Sequence, residues 1–303
     1  MQLYKYCRIG ILACLILFSC RELVTDQFAD FDAKPVVNAF LVEGATFKVN
    51  VSLAEKLDTN KLAYVDDAAV ELYIDGHFAE KAEYDDLGWY FSDIVIEPSK
   101  NYKCNVSIPG FEAVQCEQTL PPKPVIVDVT HINISGKNEE GVSYPAIILT
   151  IENIPGQKQY FEVQLRSIQE LGYIRDCGIQ PIVDQVILNE GLPLPLFSNE
   201  SIADSVYSLY LNYTTFTASR QNDGPTRTVL YPLVVELRSV SYDYYRYKKQ
   251  LHLYNEGRYA EGIINSMINT NLYSNVDGGF GVFSSYSYVL SDTIKPNTEG
   301  YYE

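Results

Sequence analysis

The stretch YKCNVSIPGFEAVQC, residues 102–116, decides the fold class. Its first half alternates Tyr102, Cys104, Val106 and Ile108 against Lys103, Asn105 and Ser107, the period of a strand with one buried face. Pro109-Gly110 breaks the run, and a hairpin centred on Gly110 sets Val106 opposite Val114 and Cys104 opposite Cys116. Opposed residues share a face and have close Cβ atoms. Cys104 and Cys116 therefore form either a cross-strand disulfide or a pair of buried thiols, and a slip of one residue would separate them.

The same period extends outward from this hairpin. Upstream, PVVNAFL reads as a strand, KVNVSL places Val49, Val51 and Leu53 on one face, and VELYIDG does the same with Val70, Leu72 and Ile74 before an Asp75-Gly76 turn. In DDLGWYFSDIVI a turn precedes a strand, with Trp89 as a core or sheet-packing residue. These short strands over residues 35–120 predict an immunoglobulin-like or transthyretin-like β-sandwich. The prolines of residues 121–125 cannot join a central ladder and mark a linker. Residues 126–303 then read as a second β-rich domain: AIILTI, YFEVQLRSI and TVLYPLVVELRSV are strand candidates, while Cys177 to Pro225 is expected to hold long loops. The fold class is mainly β, with a sandwich first and a β-rich unit carrying one amphipathic helix second.

That helix is predicted near residues 242–256. Tyr244, Tyr247, Leu251 and Tyr254 recur at helical spacing, Ser241 can cap the start and Gly257 can end it. The stripe is expected to pack on the second sheet. A ligand or partner contact through Tyr244, Tyr245 and Tyr247 is the sharper alternative.

Composition bounds the function. The chain has 303 residues, a formal charge of −16, 25 tyrosines and a single tryptophan. An acidic chain without a basic stripe does not suit nucleic acid. At the head, Lys5 and Arg8 precede an apolar run, Ile9 to Phe18, too short to span a bilayer and patterned as a secretory signal over residues 1–19. Leu17-Phe18-Ser19-Cys20 resembles a bacterial lipobox, in which Cys20 accepts lipid and becomes the first mature residue. The other reading is an ordinary signal with an incidental cysteine. With Cys20 lipidated, residues 20–34 are read as a tether holding the folded part off the membrane.

Chemistry-bearing motifs are sparse. His77, His131 and His252 lie far apart, and Cys104, Cys116 and Cys177 have no ligand spacing, so no catalytic residue, metal site or cofactor is expected. Cys177 has no evident partner. DGGFG, residues 277–281, contains a Gly-x-Gly, but the strand-like VFSSYSYVL that follows fits a glycine turn or bulge, not a phosphate loop.

In order along the chain, the lipobox, KPVVNAFLVEG, AAVELYIDG, GWYFSDIVIEPSKNYKCNVSIPGFEAVQCEQTLPPKPVI, VELRSVSYDYYRYKKQL and NTNLYSNVDGGFGVFSSYS resemble a family of outer-membrane lipoproteins of Bacteroidota, domain of unknown function 4249. The resemblance implies a lipid-anchored outer-membrane protein that is an accessory to a TonB-dependent nutrient transporter. It carries over no catalytic residues. Glu22 and Asp26, a weaker match to the acidic export signal of such lipoproteins, point to the cell exterior, and the absence of a catalytic motif points to a role that is not enzymatic. An adhesive or structural surface lipoprotein, and a hydrolase with an unrecognised site, are the alternative functions.

Overall fold

Alternating apolar and polar residues produce strands along most of the described chain, which comprises residues 32–54, 63–139, 141–169, 172–214, 218–219, 227–228, 230–260 and 272–296 of a computed structural model. The signal segment, Cys20 and most of the tether lie outside the described residues. The first eight strands are β1 (Lys34–Val42), β2 (Thr46–Ala54), β3 (Ala63–Tyr64), β4 (Ala69–Ile74), β5 (His77–Tyr84), β6 (Trp89–Val95), β7 (Asn101–Ser107) and β8 (Val114–Thr119). After the proline segment come β9 (Ile126–Lys137), β10 (Ser143–Glu152), β11 (Tyr160–Ile168), β12 (Ile174–Cys177), β13 (Ile179–Ile182), β14 (Leu196–Ser198) and β15 (Val206–Tyr213). The last four are β16 (Ala218–Ser219), β17 (Arg227–Thr228), β18 (Leu233–Val240) and β19 (Phe283–Leu290), with one long helix, Tyr242–Ala260, between β18 and β19.

The chain is mainly β, as its periodicity predicts. In the first unit the hydrogen-bonded order is β1-β2-β6-β5-β4-β7-β8. This sheet folds over at β5, which pairs with β6 only at Glu83 and Tyr84 and with β4 along most of its length. The two layers enclose one core, with Val37, Val49, Val51 and Tyr90 from one side and Val70, Leu72, Cys104 and Val114 from the other. The β7–β8 register matches the expectation, Val106 opposite Val114 and Cys104 opposite Cys116, and Gly110 takes a φ of 85° at the turn.

The second unit stacks β12-β11-β18-β19 on β13-β15-β10-β9. Phe161, Val163, Leu165, Val235 and Leu237 of the first layer meet Ile147, Leu149, Leu209 and Leu211 of the second. Much of the Cys177–Pro225 stretch, read as long loops, is regular: β13, β14, β15 and a helical turn at Gln185–Leu188. Short groups of apolar residues anchor it, Ile179, Val186 with Ile187, Leu196 with Phe197, and Leu209 with Leu211, separated by proline, glycine and polar residues that leave no continuous period.

The division at residues 121–125 separates the two cores along the chain but not the two sheets. Strand β19 runs parallel to β1 from Phe283 to Tyr286 and antiparallel to β18 from Tyr286 to Leu290, so one sheet continues through both units. Phe283 and Val276 fill the first core, although residues 126–303 were expected to form a separate domain. The glycine segment completes this closure. Asp277 exchanges backbone hydrogen bonds with Gln115 of β8 (2.8 and 3.2 Å), and Phe280 does so with Pro35 and Val37 of β1 (both 2.8 Å). The two free edges of the first sheet are thereby joined through residues from the far end of the sequence. At Gly281 the φ is 115° and a Cβ would lie 2.0 Å from the Val37 carbonyl oxygen, which is why glycine stands there. The glycine-turn reading of DGGFG is thus the observed one.

Small polar residues make the junction close. Ser285 donates to the Thr119 carbonyl oxygen at 3.1 Å, and Ser287 donates to that of Pro121. Both serines are fully buried. Their size lets the chain after β8 lie against β19, and their hydroxyls satisfy carbonyls that belong to no ladder.

Candidate functional site

The outer face of the shared sheet carries the polar alternates of the strands whose other residues form the cores. On β11 and β18 these are Glu162, Gln164, Arg166, Glu236 and Arg238, and the register places Glu162 opposite Arg238. The long helix lies over this face. Ser241 caps it, accepting from the Tyr244 amide at 3.2 Å, as its sequence position suggested. The helix does not stop at Gly257 but continues to Ala260, because an internal glycine costs a helix only about 1 kcal/mol.

Beneath the helix the charges alternate in sign. Arg238 donates from Nε to Glu236 (2.6 Å) and from Nη1 to Glu162 (2.7 Å), while Nη2 reaches Gln164 (2.9 Å). Arg166 takes the second oxygen of Glu236 at 2.7 Å and approaches the exposed Asp176 at 3.5 Å. Lys248 of the helix stands 3.8 Å from Glu162. The Tyr244 hydroxyl donates to Glu162 at 2.7 Å, and the Arg238 guanidinium sits 4.5 Å from the centre of the Tyr286 ring. Burial opposes the charge on Arg238, yet Glu162, the surrounding tyrosines and Glu236 outweigh it and hold the guanidinium firmly protonated. Burial, followed by Glu162, pushes the Tyr244 hydroxyl far up, so it remains a donor.

The three tyrosines singled out in the sequence separate here. Tyr244 is buried, edge-on to Phe40 of β1 and to Tyr286 of β19. Tyr247 is half-buried and tilted against Phe40. Tyr245 faces another way, stacking on Tyr160 at 4.6 Å and donating to Glu190, which Lys249 also contacts at 3.0 Å. Burial disfavours the Glu190 carboxylate, but Tyr245, the Ser198 amide and Lys249 together lower its pKa. The stripe is principally a packing surface, in which the Tyr244 and Tyr245 hydroxyls donate to Glu162 and Glu190.

Where helix, β1, β2, β6 and β19 meet, the face opens into a cleft of about 430 Å³. Its walls are Phe40, Trp89, Tyr244 and Tyr286, and its rim carries Lys48 and Lys248, with Arg238 at its base. Lys48 lies 5.7 Å from the Trp89 ring centre and Lys248 lies 5.4 Å from that of Tyr244, so both ammonium groups are held by ring faces. No carboxylate lines this cleft. Other clefts of similar volume exist, among them one of about 470 Å³ beside Tyr144 and Pro181. A cleft of about 370 Å³ between Thr119–Pro122 and Gln157–Tyr160 is also built by both units; the junction cleft differs in joining four aromatic side chains to Lys48, Arg238 and Lys248. Trp89, expected in the core or packed on a sheet, sits half-exposed on the outer face. Lys48, Phe40 and Arg238 carried no motif, since three distant strands and a helix bring them together.

Elsewhere, four buried side-chain atoms, Glu43 Oε2, Ser143 Oγ, Gln250 Oε1 and Ser284 Oγ, have no hydrogen-bond partner among the described residues. His131 on β9 bonds Asn133 and, at 2.8 Å, the buried Tyr213 hydroxyl; burial lowers its pKa despite the Asn133 bond. Cys104, Cys116 and Cys177 are free buried thiols, so the disulfide that the hairpin register allows is not formed. Gln115 turns both backbone groups away from β7 toward Asp277, which makes the adjacent Cys104–Cys116 pair the hydrogen-bonded one, where Cα atoms stand about 5.5 Å apart. The Cys116 thiol points instead at the Cys104 carbonyl oxygen, 3.8 Å away. Its hydrogen bond with Cys104 and its burial push it well up, and a protonated thiol is a poor nucleophile. Among the described residues no group of three or more His, Cys, Asp or Glu could hold a metal ion.

Among curated proteins none matches this sequence. A family model, Domain of unknown function (DUF4249), matches residues 22–290, a span that covers both β units and the junction cleft. The chain belongs to the DUF4249 family.

Proposed function

We propose that this chain is a lipid-anchored outer-membrane protein, facing the cell exterior, that serves a TonB-dependent nutrient transporter as a non-enzymatic accessory. The observation that carries the reading is the junction cleft, an open concavity with aromatic walls and fixed cations but no paired nucleophile and base. Such a surface suits holding a ligand or docking a partner without transforming it. The lipobox ending at Cys20 supplies the anchor, and among the described residues no helix is long and apolar enough to cross a membrane. Residues 21–31 would hold the paired sandwiches away from the lipid surface.

Two measurements test this. Labelled palmitate should enter the wild-type chain and fail to enter Cys20→Ala. Gentle solubilisation of outer membranes should then co-purify a TonB-dependent transporter with the tagged chain. A chain that carries lipid but brings down no transporter would remove the transporter role and leave an anchored surface protein.

A further inference from the structure

We infer that the junction cleft binds a small ring-bearing carboxylate, stacked on its aromatic walls with the carboxylate between Lys48 and Lys248. The inference rests on reading the cleft as a binding surface. It concerns the chemistry of the ligand, and the sign of charge in the cleft runs against the rest of the chain. The formal charge of the whole chain is −16, yet the charged side chains lining this cleft are Lys48, Arg238 and Lys248. Their counterions lie outside the lining, Glu162 and Glu236 being buried beneath the helix. An anion entering the cleft therefore meets positive charge without meeting a carboxylate.

The state of each cation narrows the class. Arg238 has Nε and both terminal nitrogens committed to Glu236, Glu162 and Gln164. It has no free fork for the two-point recognition that favours phosphate. What remains is two single-point ammonium donors. Lys48 is held over Trp89, and Lys248 over Tyr244 with only a long 3.8 Å contact to Glu162. Two point charges of this kind hold a single carboxylate without the planar fork that two-point phosphate recognition uses. Phe40, Trp89 and Tyr286 add flat apolar area suited to a ring face, whether an aryl group or the apolar side of a pyranose. A volume of about 430 Å³ accommodates one or two rings, not a polymer.

The chain carries its own reporter, because Trp89 is its only tryptophan. The full chain in mild detergent would be titrated with D-glucuronate and, separately, with 4-hydroxyphenylacetate, following Trp89 emission and binding heat. D-glucose and 4-hydroxyphenylacetamide serve as neutral partners of matched shape. The expected result is a saturable response to one carboxylate, absent or at least about tenfold weaker for its neutral partner, and weakened about tenfold in Lys48→Ala and in Lys248→Ala. Which carboxylate responds identifies sugar or aryl as the ring. Unchanged melting temperatures would show that both variants remain folded. Equal binding of the neutral partners, binding indifferent to both lysine variants, or no saturable response to either acid would overturn the inference. Because these titrations use the isolated chain, their failure leaves transporter co-purification untouched. Loss of that association would equally leave the titrations intact.

Discussion

Replacing Arg238 by Met tests whether the alternating charges under the helix stabilise its packing on the shared sheet. The Arg238, Glu162 and Glu236 side chains are only 10%, 10% and 5% exposed, so solvent screening offers little relief. Removing one partner of a buried ion pair costs about 3–5 kcal/mol, mainly by leaving the opposite charge uncompensated. Here Glu236 retains Arg166 at 2.7 Å, and Glu162 retains the Tyr244 hydroxyl and, at 3.8 Å, Lys248, which points to the lower end. Loss of the contact with Tyr286 adds about 0.5–1 kcal/mol. A total of about 3.5–4 kcal/mol, with a urea slope of roughly 3 kcal/mol/M, moves the unfolding midpoint down by about 1.2 M. Trp89 emission follows the first unit and far-ultraviolet circular dichroism follows both. Adding Glu162→Gln to Arg238→Met should recover at least about 1 kcal/mol, because the stranded charge is removed as well. A single variant within about 1 kcal/mol of wild type, or a double variant whose losses simply add, would refute this account.

Other outcomes follow from particular contacts. Gly281→Ala should destabilise by about 3 kcal/mol or more in the same urea titration, since its Cβ would meet the Val37 carbonyl at 2.0 Å and its φ of 115° disfavours side chains. A thiol reagent should leave Cys104 and Cys116 unmodified in the native chain and label both in denaturant, as mass spectrometry of the tryptic peptides would show. Labelling of neither under non-reducing denaturation would mean they are bonded. Stability should fall as the pH drops below 6.5, the ordinary histidine value, because the unfolded chain binds a proton that the buried, neutral His131 refuses. His131→Gln should flatten that part of the thermal-melting profile against pH, and an unchanged profile would count against the assignment.

How much of this was legible in the sequence varied with the range of the interaction. The β7–β8 hairpin was readable because its period, its Pro-Gly turn and its centre at Gly110 lie within fifteen residues. The helix and its Ser241 cap were readable for the same reason. Its C-terminal end was not, because one internal glycine costs a helix only about 1 kcal/mol and does not by itself end it. The strands within Cys177–Pro225 were hidden because their buried residues come in ones and twos, such as Ile179 or Leu196 with Phe197, in runs too short to show a period. Of the cleft, the sequence flagged Tyr244 as a contact residue and noted Trp89 only as a packing residue, leaving Phe40, Lys48 and Tyr286 as ordinary members of alternating strands.

By itself, then, the sequence determined a mainly β chain, the face that several of its strands bury, and a proline break between two cores. Local period and local turn chemistry are sufficient for each of these. Only the tertiary structure decided that β19 belongs to both units, that DGGFG joins the edges of the first sheet, and that Lys48, Arg238 and Lys248 surround one cleft. Those outcomes depend on pairing between residues as distant as Gln115 and Asp277, and strand alternation specifies which face is buried but not which distant strand will pair with it.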